Sequence, residues 1–216
     1  GQGAPGPRAA YKPARRLLPR TESLAAATAV RDVAERLAAV GAAIGARYAG
    51  LALLDGGGTR LEFTTLDHLE PGVPASFRRM RVDADRAAST AARTREPLFF
   101  RDHVQYGERF PEAASLIAPD TVEARSFVPV LADDRLLGVV ALAWDTVREF
   151  DDDAVKTETT IASYVAHAVE RVRLLEERHR VAATLQAAML TELPPVRGAE
   201  LAATYASAPR TDQGGG

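Results

Sequence analysis

From Asp153 to Thr191 the chain contains neither proline nor glycine. Without a helix breaker, this stretch predicts one continuous helix of roughly 55 Å, at about 1.5 Å per residue. Its apolar positions Ile161, Val165, Ala168, Val172 and Leu175 recur at intervals of four and three, as in a coiled-coil seam. The seam then meets His179, and the stripe resumes one position earlier along Leu174, Val181, Leu185 and Ala188. Such a jump is a stutter that locally unwinds a coiled coil, and two competing registers make a two-state element. The first part of the helix is expected to pack on its own domain, and the later part to pair with a second protomer. Docking of the whole helix on its own domain is the alternative. Asp151, Asp152 and Asp153 open the segment; an aspartate there suits a helix N-terminus better than a cation site.

Residues 1–20 are rich in Pro, Gly and Arg and read as flexible linker. Thr21 or Ser23 is placed to cap a helix running from Leu24 to Ala46, with Val30, Val33, Leu37, Val40 and Ile44 on one face. Tyr48 to Leu54 and Leu61 to Leu66 read as strands joined by the tight turn Asp55-Gly56-Gly57-Gly58-Thr59. A phosphate-cradling loop would need a helix after those glycines, and a strand follows instead. Phe77 to Val82 is a third strand; its Arg78, Arg79 and Arg81 suit a charged edge strand better than an anion site. Asp83 or Asp85 is placed to cap a short helix from Arg86 to Thr94. A short strand over Glu96 to Asp102 follows, then mixed loop and helix to Leu116 with Pro111 in a first helical turn. Phe127 to Leu131 and Leu136 to Trp144 form a second hairpin around Ala132-Asp133-Asp134-Arg135, and the latter strand, the most apolar, is placed at the sheet centre. The order predicts an α+β fold: an antiparallel sheet with helices on both faces.

Composition narrows the function. A net charge of −2 offers no long-range attraction for nucleic acid or anionic membrane, and 6 % aromatic residues make few stacking platforms for bases. No apolar run approaches the roughly 20 residues that span a bilayer. With no signal peptide, a cytoplasmic location is expected. There are no cysteines, so disulfides, thiolate metal sites and cysteine nucleophiles are excluded. His68 and His103 lack a His or carboxylate partner at useful helical spacing and read as surface or loop residues rather than haem or metal ligands.

Four phrases in order carry a family resemblance: Arg95-Glu96-Pro97-Leu98-Phe99, Arg125-Ser126-Phe127-Val128-Pro129-Val130, Arg135-Leu136-Leu137-Gly138-Val139-Val140, and Phe150-Asp151 before the last helix. Residues 22–176 resemble a GAF sensor domain, as found in actinobacterial-type phosphatases. The resemblance implies six antiparallel strands, the first and last helices on one face, and small helices over a pocket on the other. By analogy, Phe77, Arg79, Phe99, Phe110, Phe127 and Val140 would lie near that pocket and its unknown small-molecule effector, or belong simply to the core. The cyclic-nucleotide pattern of the family is absent, and without cysteine neither bilin attachment nor a cysteine-based sulfoxide reductase is possible.

Residues 177–192 then read as a coiled-coil linker helix. Beyond it, Leu185-Gln186 and Met189-Leu190, the stop Leu193-Pro194-Pro195, Gly198 and the strand Glu200-Leu201-Ala202-Ala203-Thr204-Tyr205 lead into Gly214-Gly215-Gly216. Residues 193–216 resemble the truncated entry of a SpoIIE-type phosphatase domain of the PPM family. The resemblance implies a parent protein that removes phosphate from a serine or threonine, with Mn²⁺ or Mg²⁺ held by aspartates of the following domain. Its typical substrate would be a phosphorylated anti-sigma-factor antagonist in a partner-switching circuit. The first metal aspartate would follow Gly216 or be replaced by it; Asp212 does not match its position. The chain itself, starting without methionine as a piece of a longer protein would, is then expected to be a catalytically inactive, homodimeric regulatory segment. The alternative is a ligand-binding or scaffold GAF module of another signalling protein such as a histidine kinase; the kinase is disfavoured because Gln186-Ala187 stands where the phosphoacceptor His and its following Asp would be.

Overall fold

The computed structural model describes residues 21–64, 73–117 and 122–191. The linker at 1–20, His68 and the phosphatase-like segment 193–216 lie outside the described residues. Contacts divide the chain into two units, meeting between Glu177 and Arg178.

The first unit is built on six antiparallel strands: β1 (Tyr48–Leu54), β2 (Arg60–Phe63), β3 (Arg79–Arg81), β4 (Leu98–Phe100), β5 (Ala124–Ala132) and β6 (Arg135–Trp144). They lie side by side in the order β3-β2-β1-β6-β5-β4. The apolar strand β6 is therefore central, as its composition predicts, and is paired on one side with β1 and on the other with β5. Both hairpin turns follow from their residues. Asp55 accepts hydrogen bonds from the Thr59 and Arg60 amides, at 2.7 and 3.0 Å, while Gly58 supplies a φ of +68°. At the other hairpin Asp133 and Asp134 both adopt positive φ, 45° and 62°, the hand that matches strand twist.

Among the described residues from Val30 onward, six helices complete the unit: α1 (Val30–Ala43), α2 (Ala75–Arg78), α3 (Ala87–Thr94), α4 (His103–Arg109), α5 (Pro111–Ser115) and α6 (Asp152–Thr191), the last passing into the second unit. One sheet face, with Leu51, Val128, Val140, Leu142 and Trp144, packs against α1 and α6 through Val33, Leu37, Val40, Ile161, Val165, Val169 and Val172. The other face, with Ala52, Leu61 and Val139, packs against α3, α4 and α5 through Ala88, Ala91, Tyr106 and Ala113, and against Phe110 between α4 and α5. Alternation along each strand serves both layers.

Several boundaries differ from the sequence expectation. The first helix is not continuous from Leu24: a helical turn at 21–24 breaks, and α1 begins at Val30. Neither Thr21 nor Ser23 caps it. Asp32 fixes the break instead, accepting from the Thr28 amide at 2.9 Å, the Thr28 hydroxyl at 2.7 Å and the Ala29 amide at 3.2 Å. Phe77 lies in the single turn α2, so the third strand starts only at Arg79. Asp83 does not cap α3, because it takes the Arg81 guanidinium at 2.6 and 2.7 Å, and the N-cap position falls on Arg86. For α6 the expectation holds: Asp151 accepts from the Ala154 amide at 2.8 Å.

The seam predicted along α6 divides in two. Ile161, Val165, Ala168 and Val172 are spent in the domain's own core, at 1, 0, 3 and 0 % exposure, so they form an intramolecular docking stripe rather than a seam for a second chain. Leu175 is half-buried, and every side chain from Glu176 to Met189 is exposed.

Gly138 sets the closeness of the central strands. It pairs with Leu53 of β1 and Val130 of β5, and a Cβ there would collide with the Ala52 carbonyl oxygen. Since the obstacle is backbone, the strands would have to part. Gly138→Val is expected to cost about 2–4 kcal/mol in urea unfolding, whereas Gly56→Ala, in open space, should stay within about 0.5 kcal/mol.

Candidate functional site

Over parts of β1 and β6 the sheet carries large residues toward α1 and α6 and small ones toward the short helices. On β6, Val140, Leu142 and Trp144 alternate with Ala141 and Ala143; on β1, Leu51 alternates with Gly50 and Ala52. Register sets Gly50 of β1 beside Ala141 and Tyr48 beside Ala143, with Phe127 and Arg125 of β5 on the other side of those alanines. Over these positions the short helices cannot descend to full contact, and a cavity of about 70 Å³ remains. Volume on that scale accommodates about half a dozen water-sized groups.

Its walls are chiefly apolar: Phe63, Val73, Phe77, Met80, Ala87, Ala88 and Ile117 join the sheet residues. Tyr106 enters from α4, where the N-cap Asp102 anchors the helix by accepting from the Gln105 amide at 2.8 Å. That bond holds the Asp102 carboxyl below its usual range. Tyr106 stacks on Phe127 with ring centres 6.4 Å apart and meets Phe100 edge-on at 5.2 Å. On the far side, Ser89 of α3 donates to the Arg81 carbonyl at 2.8 Å, and Arg93 to the Val82 carbonyl at 2.7 Å, tying α3 to the end of β3.

Two of the six residues placed near a pocket by sequence, Phe77 and Phe127, line this cavity. The other four do not. Arg79 is on the outward side of β3, in an ion pair with Glu62 at 3.6 Å. Phe99 faces the opposite layer and packs on Phe150, ring centres 5.0 Å apart. Phe110 is 1 % exposed and lies behind the cavity against Phe100 and Tyr106. Val140 belongs to the α1–α6 core. Sequence reasoning missed Arg86, Tyr106 and Arg125; the alternation of alanine with large residues on β6 was the signal that marks the cavity face. His103 begins α4, and among the described residues no group of three His, Asp or Glu is placed to hold a metal ion.

Such a sheet, with the first long helix and the last on one face and short helices over a cavity on the other, defines a class of α+β domain built to enclose a small volume. A family model for the GAF domain matches residues 27–170, and the chain belongs to that family. No curated protein matches it. Among solved structures, it is similar to the GAF domain of a Coxiella burnetii phosphoenolpyruvate-protein phosphotransferase, with 14 % identity and a TM-score of 0.61, covering 76 % of this chain and 96 % of that one. It is also similar to free methionine-R-sulfoxide reductase from Neisseria meningitidis, with 20 % identity, a TM-score of 0.60, and 78 % and 96 % coverage. A third is a methyl-accepting chemotaxis protein, with 19 % identity, a TM-score of 0.58, and 72 % and 98 % coverage. These likenesses establish the shared fold. Thiol chemistry is closed to this chain, which has no cysteine.

One buried acid stands apart from the cavity. Glu158 of α6 faces the sheet at 1 % exposure beside the fully buried Ser126. Burial pushes its carboxyl up to about 7; the Ser126 hydroxyl and the Arg148 charge pull the other way. Neither carboxylate oxygen nor Ser126 Oγ makes a well-formed hydrogen bond, and burial outweighs the opposing pull. An acid raised in the fold opposes stability only where it must ionise. The penalty is absent below the ordinary value of 4.5, grows as pH rises, and is complete above about 7. Glu158→Gln is therefore expected to stabilise the domain by up to ~3 kcal/mol on the alkaline side and by little in acid, read as Tm against pH.

Proposed function

We propose that this chain is the sensory and relay segment of a bacterial signalling protein. A small molecule enters the cavity over β1, β6 and β5, and α6 carries the change to an output domain. The observation that supports the reading is the cavity itself, which lies over Gly50 of β1 and Ala141 and Ala143 of β6. Wall residues sit on α2, α3 and α4, so an occupant touches several separately placed elements, and differential contact is what shifts a population.

The reading extends to the parent protein. The segment that resembles a SpoIIE-type phosphatase entry supports a metal-dependent phosphoserine/phosphothreonine phosphatase as the output, in the cytoplasm, acting on a phosphorylated anti-sigma-factor antagonist. Its Mn²⁺ or Mg²⁺ would belong to aspartates of that output domain, and the sensory segment contributes no chemical step. Exposed Leu174, Val181, Leu185 and Met189, at 53, 50, 59 and 77 %, support pairing of α6 with a second copy in a coiled coil. Leu185→Glu is expected to convert a dimer to a folded monomer by light scattering; an unchanged mass would remove Leu185 from the interface.

Ala141→Leu tests the sensory reading directly. Its side chain projects into space already empty, so Tm should move by only about 2–4 °C, while responses to cavity-sized compounds in a thermal-shift screen should vanish. Retention of those responses would place binding elsewhere.

A further inference from the structure

We infer that Glu158 makes the seat of the relay helix proton-sensitive: neutral, it holds the first turns of α6 against β5, and ionised, it loosens them. The latch acts on the helix proposed above as the relay. Its state is read from the docking of α6 itself, so failure of the relay reading leaves the test intact.

The buried face of α6 runs Ala154, Glu158, Ile161, Val165, Ala168 and Val172, at intervals of four and three. Every member except Glu158 is apolar, yet Glu158 is as deeply enclosed as Ile161. Across the interface stands Ser126 of β5, fully buried, with Phe99 of β4 and Leu142 of β6 as its neighbours in the sheet. Both carboxyl oxygens of Glu158 and Oγ of Ser126 are enclosed without a hydrogen-bond partner. An apolar residue would continue the docking stripe without that cost. The acid brings to the contact a charge state that can change.

The charges of the surrounding elements are directed elsewhere or outweighed. Arg148, in the connection from β6 to α6, pulls the Glu158 carboxyl down, but burial pushes it up by more. Its guanidinium lies over the rings of Trp144 and Phe150, 4.6 and 5.5 Å from their centres. Arg125, beside Ser126 on β5, lines the cavity on the opposite face. Past β4, Arg101 pairs with Asp102 and Glu149. On α1, Arg31 pairs with Glu35, Asp32 accepts from the Thr28 and Ala29 amides, and Arg36 donates to the Ser23 carbonyl. On α6 itself Asp151 caps the first turn, and Asp152, Asp153 and Lys156 are exposed.

An ionised carboxylate so enclosed is costly, and the cost is relieved when the contact opens and water reaches it. The docked form therefore holds the proton more tightly than the opened form. Docking is firmest in acid, weakens about tenfold per pH unit between the ordinary value of 4.5 and about 7, and levels off above that.

The test is amide hydrogen exchange of the full chain from pH 5 to 8, with Glu158→Gln measured beside the wild type at each pH. Glutamine keeps the shape and cannot ionise, so the comparison removes the intrinsic pH dependence of exchange. From pH 5 to 7, protection of the Val155 to Thr160 amides is expected to fall at least tenfold relative to the variant, then to level off. These turns should stay less protected than β6 throughout. Trp144, the single tryptophan, packs on Phe150 ahead of α6 and gives a second reading. Its emission is expected to shift with a midpoint of about 7 in the wild type and to stay flat in the variant. A wild-type-to-variant ratio independent of pH would overturn the latch. First turns that exchange only as fast as β6 at every pH would also overturn it, since the opening would then be global. An emission transition of unchanged size in Glu158→Gln would trace to a histidine such as His103 or His167, and would overturn it too.

Discussion

Strand β6 is covered on both faces and flanked on both edges, and the rest of the structure depends on that. Its even-numbered residues Val140, Leu142 and Trp144 hold α1 and α6, while Val139, Ala141 and Ala143 floor the opposite layer. A strand so enclosed must satisfy every amide and carbonyl through its neighbours. Pairing along β1 and β5 does this, with one irregularity at Val130–Leu131 that bends the strand end. Gly138 permits the closest approach, at the point where β1, β6 and β5 meet.

From this follows a division of labour between the two faces. Large branched residues on one side make a tightly filled core with α6, which is why the first half of that helix is a fixed part of the domain. Small residues on the other side leave the short helices standing over incompletely filled space. The same sheet is thus closely filled where it meets α6 and incompletely filled where the cavity lies. Aromatic contacts between Phe99, Phe150 and Trp144 fasten the start of α6 to the sheet edge, at centre distances of 5.0 and 5.5 Å.

Much of this was legible in the sequence. Alternation and turn chemistry placed both hairpins, and apolar content placed β6 at the centre. Periodicity marked α6, but could not say whether Ile161, Val165, Ala168 and Val172 meet a sheet or a second helix, since both demand the same spacing. The candidate site was less legible. Aromatic residues are its expected markers, yet Phe99 and Phe110 go into packing because size makes an aromatic ring useful to any core. What defines the cavity is the opposite feature, the placing of Gly50, Ala141 and Ala143 in register across strands, which only strand pairing reveals. Arg86 and Arg125 were invisible for a related reason: they lie far apart in sequence, and nothing local marks a charge destined for a cavity wall.

Strand β6 and its two neighbours are the structural keel shared by both layers. Native-state amide hydrogen exchange measures this residue by residue. The slowest amides are expected in β1, β6, β5 and the Ile161–Val172 turns of α6, opening only with the whole domain, while β3 and β4 exchange faster through local fraying. Exchange of the β6 amides as fast as that of β3 and β4, or before release of the α6 turns, would contradict it.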